Sequence, residues 1–126
     1  MMILIDSNII IYAASGKFPA LVEWMAEQNL AVSAISVLEV LGYHKLHISE
    51  KKELENLFAQ ITVLYPGAEV FRLAIKLRQE RRISIGDALI AATALNETIA
   101  LATHNTVDFS WINGLEIIDP LKHEAH

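Results

Sequence analysis

Apolar residues recur along this chain in two rhythms. Short continuous apolar runs fall at residues 2–5, 31–35, 61–65, 99–103 and 115–118. Runs of this length are expected of strands buried on both faces of a parallel sheet. Between them the spacing changes to that of amphipathic helices. Residues 18–28 carry Leu21, Val22 and Met25, and residues 37–46 carry Val37, Leu38, Val40 and Leu41. Residues 50–60 gather Leu54, Leu57 and Phe58, with Lys51, Lys52, Glu53 and Glu55 largely opposite. Residues 68–80 repeat Val70, Phe71, Ala74, Ile75 and Leu77, and residues 85–95 are rich in the good helix formers Ala and Leu. Strands alternating with helices predict βαβ units, an α/β class and a mostly parallel sheet covered on both faces.

One carboxylate breaks this pattern early. In LIDSNIII, residues 4–11, Asp6 stands between two apolar runs. An unpaired buried carboxylate costs several kcal/mol, so Asp6 belongs at a strand exit or beside a partner. In open α/β sheets the strand exits near the topological switch point are where ligands bind. Three further acids fall in comparable places. Glu39 opens the helix after the second strand, Asp87 opens the helix before the fourth, and Asp108 follows the fourth. Each has a local explanation. Asp6 could cap a helix starting near Ser7 or Asn8. Ser36-x-x-Glu39 and Ser84-x-x-Asp87 match capping boxes, and Asp108 could be a loop acid. As a set they interrupt apolar faces, whereas Glu23, Glu27, Glu53, Glu55 and Glu80 keep polar company.

Converging carboxylates repel, and a hard divalent cation such as Mg²⁺ or Mn²⁺ removes that penalty. Zinc is disfavoured, since the chain has no cysteine. His44 and His47 read as a surface pair late on one helix, and His123 and His126 lie in a tail expected to fray from about residue 120.

Composition narrows the reading. The chain has 126 residues, which fits one domain. Hydrophobic residues make up 53% of it and the mean hydropathy is +0.36. So much apolar surface predicts a covering partner or second copy. The formal charge of -5 argues against nucleic-acid binding by bulk electrostatics, though not at a metal-charged site. No basic leader opens the chain and no long apolar run escapes an acid or Asn, so a cytoplasmic protein without membrane contact is expected. Lys76, Arg78, Arg81 and Arg82 form the densest basic cluster. It reads either as helix C-terminal cations or as a phosphate grip.

The motifs LIDSNIIIY, Ser36-x-x-Glu39, IGDALIAATAL at 85–95 and THNTVDF at 103–109 together resemble the PIN-domain ribonucleases, and among them the VapC-type toxins of toxin–antitoxin pairs. The resemblance runs in order over nearly the whole chain. It implies a single PIN-like domain, 1–126, with a five-stranded parallel sheet in order 3-2-1-4-5. It implies an Mg²⁺- or Mn²⁺-dependent endoribonuclease with Asp6, Glu39, Asp87 and Asp108 as metal ligands and catalytic acids. Ser7, Asn8, Thr103 and Asn105 would be supporting polar groups. Arg81 and Arg82, from the basic cluster, and His104 are the candidate RNA contacts. A cognate antitoxin and a homodimer are also implied, with faces near residues 18–25 and 37–46. His104 departs from the family pattern, which often has Arg there. The alternative is a non-catalytic scaffold on the same fold. Phosphotransfer from Asp6 is disfavoured. Asn8 stands where a haloacid-dehalogenase-like phosphatase has its second Asp, and no Asp follows the third strand as a receiver domain requires.

Overall fold

LIDSNIII is cut by Asp6 into two elements. In a computed structural model, which describes residues 1–122, Met2–Ile5 form β1 and Ser7–Ala14 form α1. Three β-branched residues in a row would suit a strand. Tertiary packing decides otherwise, because helical spacing buries Ile9 and Ile10 together against the sheet. The following elements are α2 (Pro19–Ala26), β2 (Asn29–Ser33), α3 (Ala34–Leu41), α4 (Ile48–Phe58) and β3 (Thr62–Leu64). Then come α5 (Ala68–Glu80), α6 (Ile85–Glu97), β4 (Ala100–Ala102), α7 (Thr106–Phe109) and β5 (Ile117–Ile118).

The strands form one parallel sheet in the order β3-β2-β1-β4-β5. Successive side chains along each strand point to opposite faces. Ile3, Ile5, Leu30 and Val32 therefore pack under α1–α4, while Leu4, Ala31 and Leu101 pack under α5–α7. Both faces are dry, which is why the strands read as unbroken apolar runs. Helix α6 is buried from Ala88 to Ala94 and lacks a polar stripe, as a central helix must.

Three boundaries differ from the spacing. The second strand ends at Ser33 instead of reaching 35, because the Ser33 hydroxyl accepts the N–H of Ile35 and starts α3 early. Helix α3 also ends early, at Leu41. His44 and His47 therefore share no helix. His44 packs against the Tyr43 ring, and His47 is the N-cap residue of α4, its N–H held by Glu50 Oε1. The expected fraying is also qualified. Leu121 is buried and its N–H donates to Asp119 Oδ1, while residues 123–126 lie outside the described residues.

Chain order reverses between β1 and β4, so the switch point lies there. Pairing Ile5 with Ala102 sets Asp6 and Thr103 side by side at the strand exits. The Asp6 N–H donates to the Ala102 carbonyl at 3.0 Å and fixes that position.

Candidate active site

Asp6 is 4% exposed and fully buried Thr103 lies beside it. Thr103 Oγ1 accepts the N–H of Asn105 at 3.1 Å. Its own proton is therefore free for Asp6 Oδ2, 2.8 Å away. Asp6 is the N-cap residue of α1, yet its side chain makes no regular cap hydrogen bond. Burial pushes its carboxyl above the ordinary range, against the pull of Thr103 and of the Ser7 and Asn8 amides, while Asp108 pushes it further up. This is a carboxylate held in place and poorly neutralised.

Asp87 comes from the other side of the sheet. It stands in the first turn of α6, where its N–H donates to the Ser84 hydroxyl at 3.1 Å. Burial first, and then the negative field of Asp6, Asp108 and Glu39, raises its pKa from 3.8 to about 6, while Ser84 pulls it down. The four acids thus share one electrostatic environment, supplied by β1, α3, α6 and α7.

Glu39 does not cap a helix, so the capping-box reading of Ser36-x-x-Glu39 is overturned. Ser33 is the N-cap residue, and Ser36 is buried inside α3. Ser7 Oγ lies 2.8 Å from Ser36 Oγ and 3.1 Å from Glu39 Oε1. Ser7 has a single hydroxyl proton, so while it donates to the Glu39 carboxylate its oxygen accepts from Ser36. The Glu39 carboxylate also rests against Gly86. A Cβ on Gly86 would stand 2.5 Å from Glu39 Oε2. The absent methyl group is what lets α3 bring its acid to the start of α6.

Asp6, Ser7, Asn8, Glu39 and Asp87 line one end of a cavity of about 680 Å³. Its other walls mix the apolar Ile11, Val40, Leu46 and Leu54 with Tyr43 and the acids Glu50 and Glu53. Asp108 is exposed in α7, outside this lining. Asn105 is the N-cap residue of α7 and presents its backbone to Thr103.

The cations are elsewhere. Arg81 is the C-cap residue of α5, with its guanidinium over the Trp111 ring at 5.0 Å. Arg82 is exposed in the next connection. His104 sits beside Thr103, with Nδ1 at 3.3 Å from both Asp119 oxygens and its ring edge-on to Tyr12. Sequence reading missed Gly86, Ser36 as a donor, Asp119 and Trp111. Only Gly86 left a signal: a glycine inside a helix otherwise built from strong formers.

Could these residues hold a divalent cation? Among the described residues no three acidic or imidazole side chains stand close enough to enclose an ion as they lie. The donor set fits nonetheless. It is all oxygen, two of its members are raised by burial and mutual repulsion, and Gly86 leaves the space in which Glu39 approaches Asp87. A hard divalent ion is the complement of such a set.

The PIN domain family model matches residues 3–113, so the chain belongs to the PIN-domain family. Among its relatives is Ribonuclease VapC10 of Mycobacterium tuberculosis, 35% identical over 124 residues, with 91% of each chain covered. Among solved structures, VapBC-1 from nontypeable Haemophilus influenzae has a TM-score of 0.83 at 27% identity, covering 97% of this chain and 100% of that one. A toxin–antitoxin complex from Klebsiella pneumoniae has a TM-score of 0.77 at 28% identity, covering 93% and 96%.

Proposed function

We propose that this protein is a divalent-metal-dependent endoribonuclease and the toxin of a toxin–antitoxin pair. The observation that carries the reading is that Asp6, Glu39 and Asp87 line one cavity, with Asp6 at the β1–β4 switch point, in a PIN-family chain. Asp6 and Asp87 are the principal ligands, Glu39 joins them directly or through water, and Asp108 completes the shell from α7. The ion is Mg²⁺ or Mn²⁺. When bound, it supplies Lewis acidity at a scissile phosphate and lowers the pKa of water.

The rest of the chemistry belongs to the chain. Thr103 holds Asp6 Oδ2 and so fixes the orientation of the carboxylate. Ser7 and Ser36 orient Glu39, the carboxylate best placed to accept a proton from an attacking water, being exposed at the cavity wall. No side-chain nucleophile is required.

Relatives support the partner assignment, since two solved neighbours above 25% identity are a toxin–antitoxin complex and a VapBC assembly. The apolar part of the large cavity suits an antitoxin segment. Exposed Phe71 and Ile75, one turn apart on α5, suit a second copy. Among the described residues no helix is long and apolar enough to cross a membrane, and we place the protein in the cytoplasm.

The deciding experiment is cleavage of total RNA by chelator-treated protein with Mg²⁺ or Mn²⁺ restored, beside Asp6→Asn. Cleavage should require the metal and vanish in the variant, whose melting temperature should not fall. An active Asp6→Asn protein would overturn the assignment. A folded wild type inert toward RNA, and without metal affinity in calorimetry, would leave a scaffold.

A further inference from the structure

The basic cluster and the acidic site are linked through one contact that the mechanism above does not use. Arg81 lies over the Trp111 ring at 5.0 Å. Trp111 Nε1 donates to the Asp108 carbonyl at 2.8 Å. Arg81 stands six residues before Asp87, in the connection that delivers that acid. The contact therefore joins the two segments that carry Asp87 and Asp108.

Its outer face is free. Arg81 is exposed, and Trp111 is half-buried beneath it. The ion pairs of the described residues are Arg72–Glu69 and His104–Asp119, so Lys76, Arg78, Arg81 and Arg82 keep their charge unneutralised. In a chain of net charge -5, Arg78, Arg81 and Arg82 fall within five residues, in the densest basic cluster of the sequence. The indole N–H is already satisfied by Asp108, so Arg81 is not needed to complete its bonding.

A planar guanidinium backed by an indole, with an open outer face and cations beside it, suits a nucleobase with its phosphates. Unpaired bases stack on aromatic rings and on arginine planes. A lysine in the same place would keep the charge and lose the plane.

We propose that Arg81 on Trp111 is a base-stacking subsite for single-stranded RNA, between the segments that carry Asp87 and Asp108 and outside the large cavity. Arg82 and Arg78 hold the flanking phosphates. The site rests on the ribonuclease reading for its substrate, and requires the target to be unpaired where it passes Arg81. Purines, with the larger stacking surface, bind it better than pyrimidines.

The test uses Trp111 emission in a Trp24→Phe background, because Trp24 and Trp111 are the two tryptophans of the chain. Oligoadenylate is titrated into this protein with EDTA present, and affinity is read separately from anisotropy of a labelled oligonucleotide. Trp111 emission should change on binding, oligouridylate should bind more weakly, and an RNA duplex should leave the emission unchanged. Arg81→Ala should weaken binding about tenfold or more. Arg81→Lys should resemble Arg81→Ala. An Arg81→Lys protein that binds like the parent would reduce the contact to a charge grip and overturn the stacking subsite. So would oligonucleotide binding with silent Trp111, or no binding at all.

RNA cleavage with metal restored is scored independently. Cleavage with silent Trp111 rejects the subsite and keeps the nuclease. A Trp111 response without cleavage does the reverse.

Discussion

Two segments of this chain are spelled alike and folded differently. Ser36-x-x-Glu39 and Ser84-x-x-Asp87 have the same spacing and lie near the starts of helices on opposite faces of the sheet. At α6 the local pattern holds: Ser84 is the N-cap residue and accepts the N–H of Asp87. At α3 it fails, because Ser33 takes the cap three residues earlier and draws Ser36 into the helix. The consequence for chemistry is large. Asp87 is tied down by its own helix start and sits half-buried in a negative field. Glu39 is exposed, and its orientation comes from another element, through Ser7 of α1. One acid is positioned locally and the other by tertiary contact.

The largest expected difference is catalytic. Asp87→Asn removes a proposed metal ligand that its own helix start holds in place, and should lower metal-dependent cleavage by on the order of 10³-fold. Glu39→Gln should cost less, about 100-fold, since it removes the proton acceptor but leaves Asp6 and Asp87 in place. Single-turnover cleavage rates for the two variants decide it. Equal losses would show that the two acids carry equal shares despite their different anchoring.

Gly86 lets the two segments meet. Ala is the better residue inside a helix by up to about 1 kcal/mol, and the Gly86 backbone is not in the left-handed region. Gly86→Ala should therefore melt no lower than the parent. Its methyl group must displace the Glu39 carboxylate, and cleavage should drop about tenfold. Retained activity at an unchanged melting temperature would mean that Glu39 works from more than one position.

The same asymmetry appears in stability against pH. The folded-state pKa of Asp87 lies above its ordinary 3.8, at about 6. The folded metal-free protein thus binds a proton that the unfolded chain has released. The stabilisation is complete below pH 3.8 and is lost as pH rises to about 6. Asp6 is raised too and acts in the same direction. Melting curves of metal-free wild type and Asp87→Asn should therefore diverge between about pH 4 and 6, with the variant gaining relative to wild type as pH rises. Adding Mn²⁺ should reverse the order at neutral pH. Parallel curves across that window would remove the electrostatic argument for a metal at Asp87.

How much of this could be read from residues alone follows the same division between local and tertiary causes. Strand identity was legible because burial on both faces leaves unbroken apolar runs. The positions of Asp6 and Asp87 were legible because each is set within a few residues of itself, by a strand end and by a cap. Helix α1 was legible only as a cap option at Asp6, since Ile9 to Ile11 suits a strand until the sheet is there to bury Ile9 and Ile10. The early start of α3 turned on which of two serines caps it, and local preference favours neither. The Ser7–Glu39 contact spans 32 residues and the Thr103–Asp6 contact spans 97, so no spacing could reveal their geometry. The stacking of Arg81 on Trp111 is of the same kind. It turns two residues of unlike chemistry into one surface only after α5 and α7 are in place.

The smallest effect tests the comparison most directly. If Ser33 is the true cap of α3, Ser33→Ala should cost about 1 kcal/mol, as a lost N-cap does, and Ser84→Ala should cost a similar amount at α6. Ser36→Ala should behave differently. It removes no cap, and the Ser7 hydroxyl left behind still has Glu39 as acceptor. Its loss should therefore fall mainly on cleavage, through a less well oriented Glu39, and only weakly on melting. Chemical denaturation of the three variants, with cleavage rates alongside, separates the cases. A Ser36→Ala protein destabilised like Ser84→Ala, with normal cleavage, would restore the capping box at α3 and with it the equivalence of the two segments.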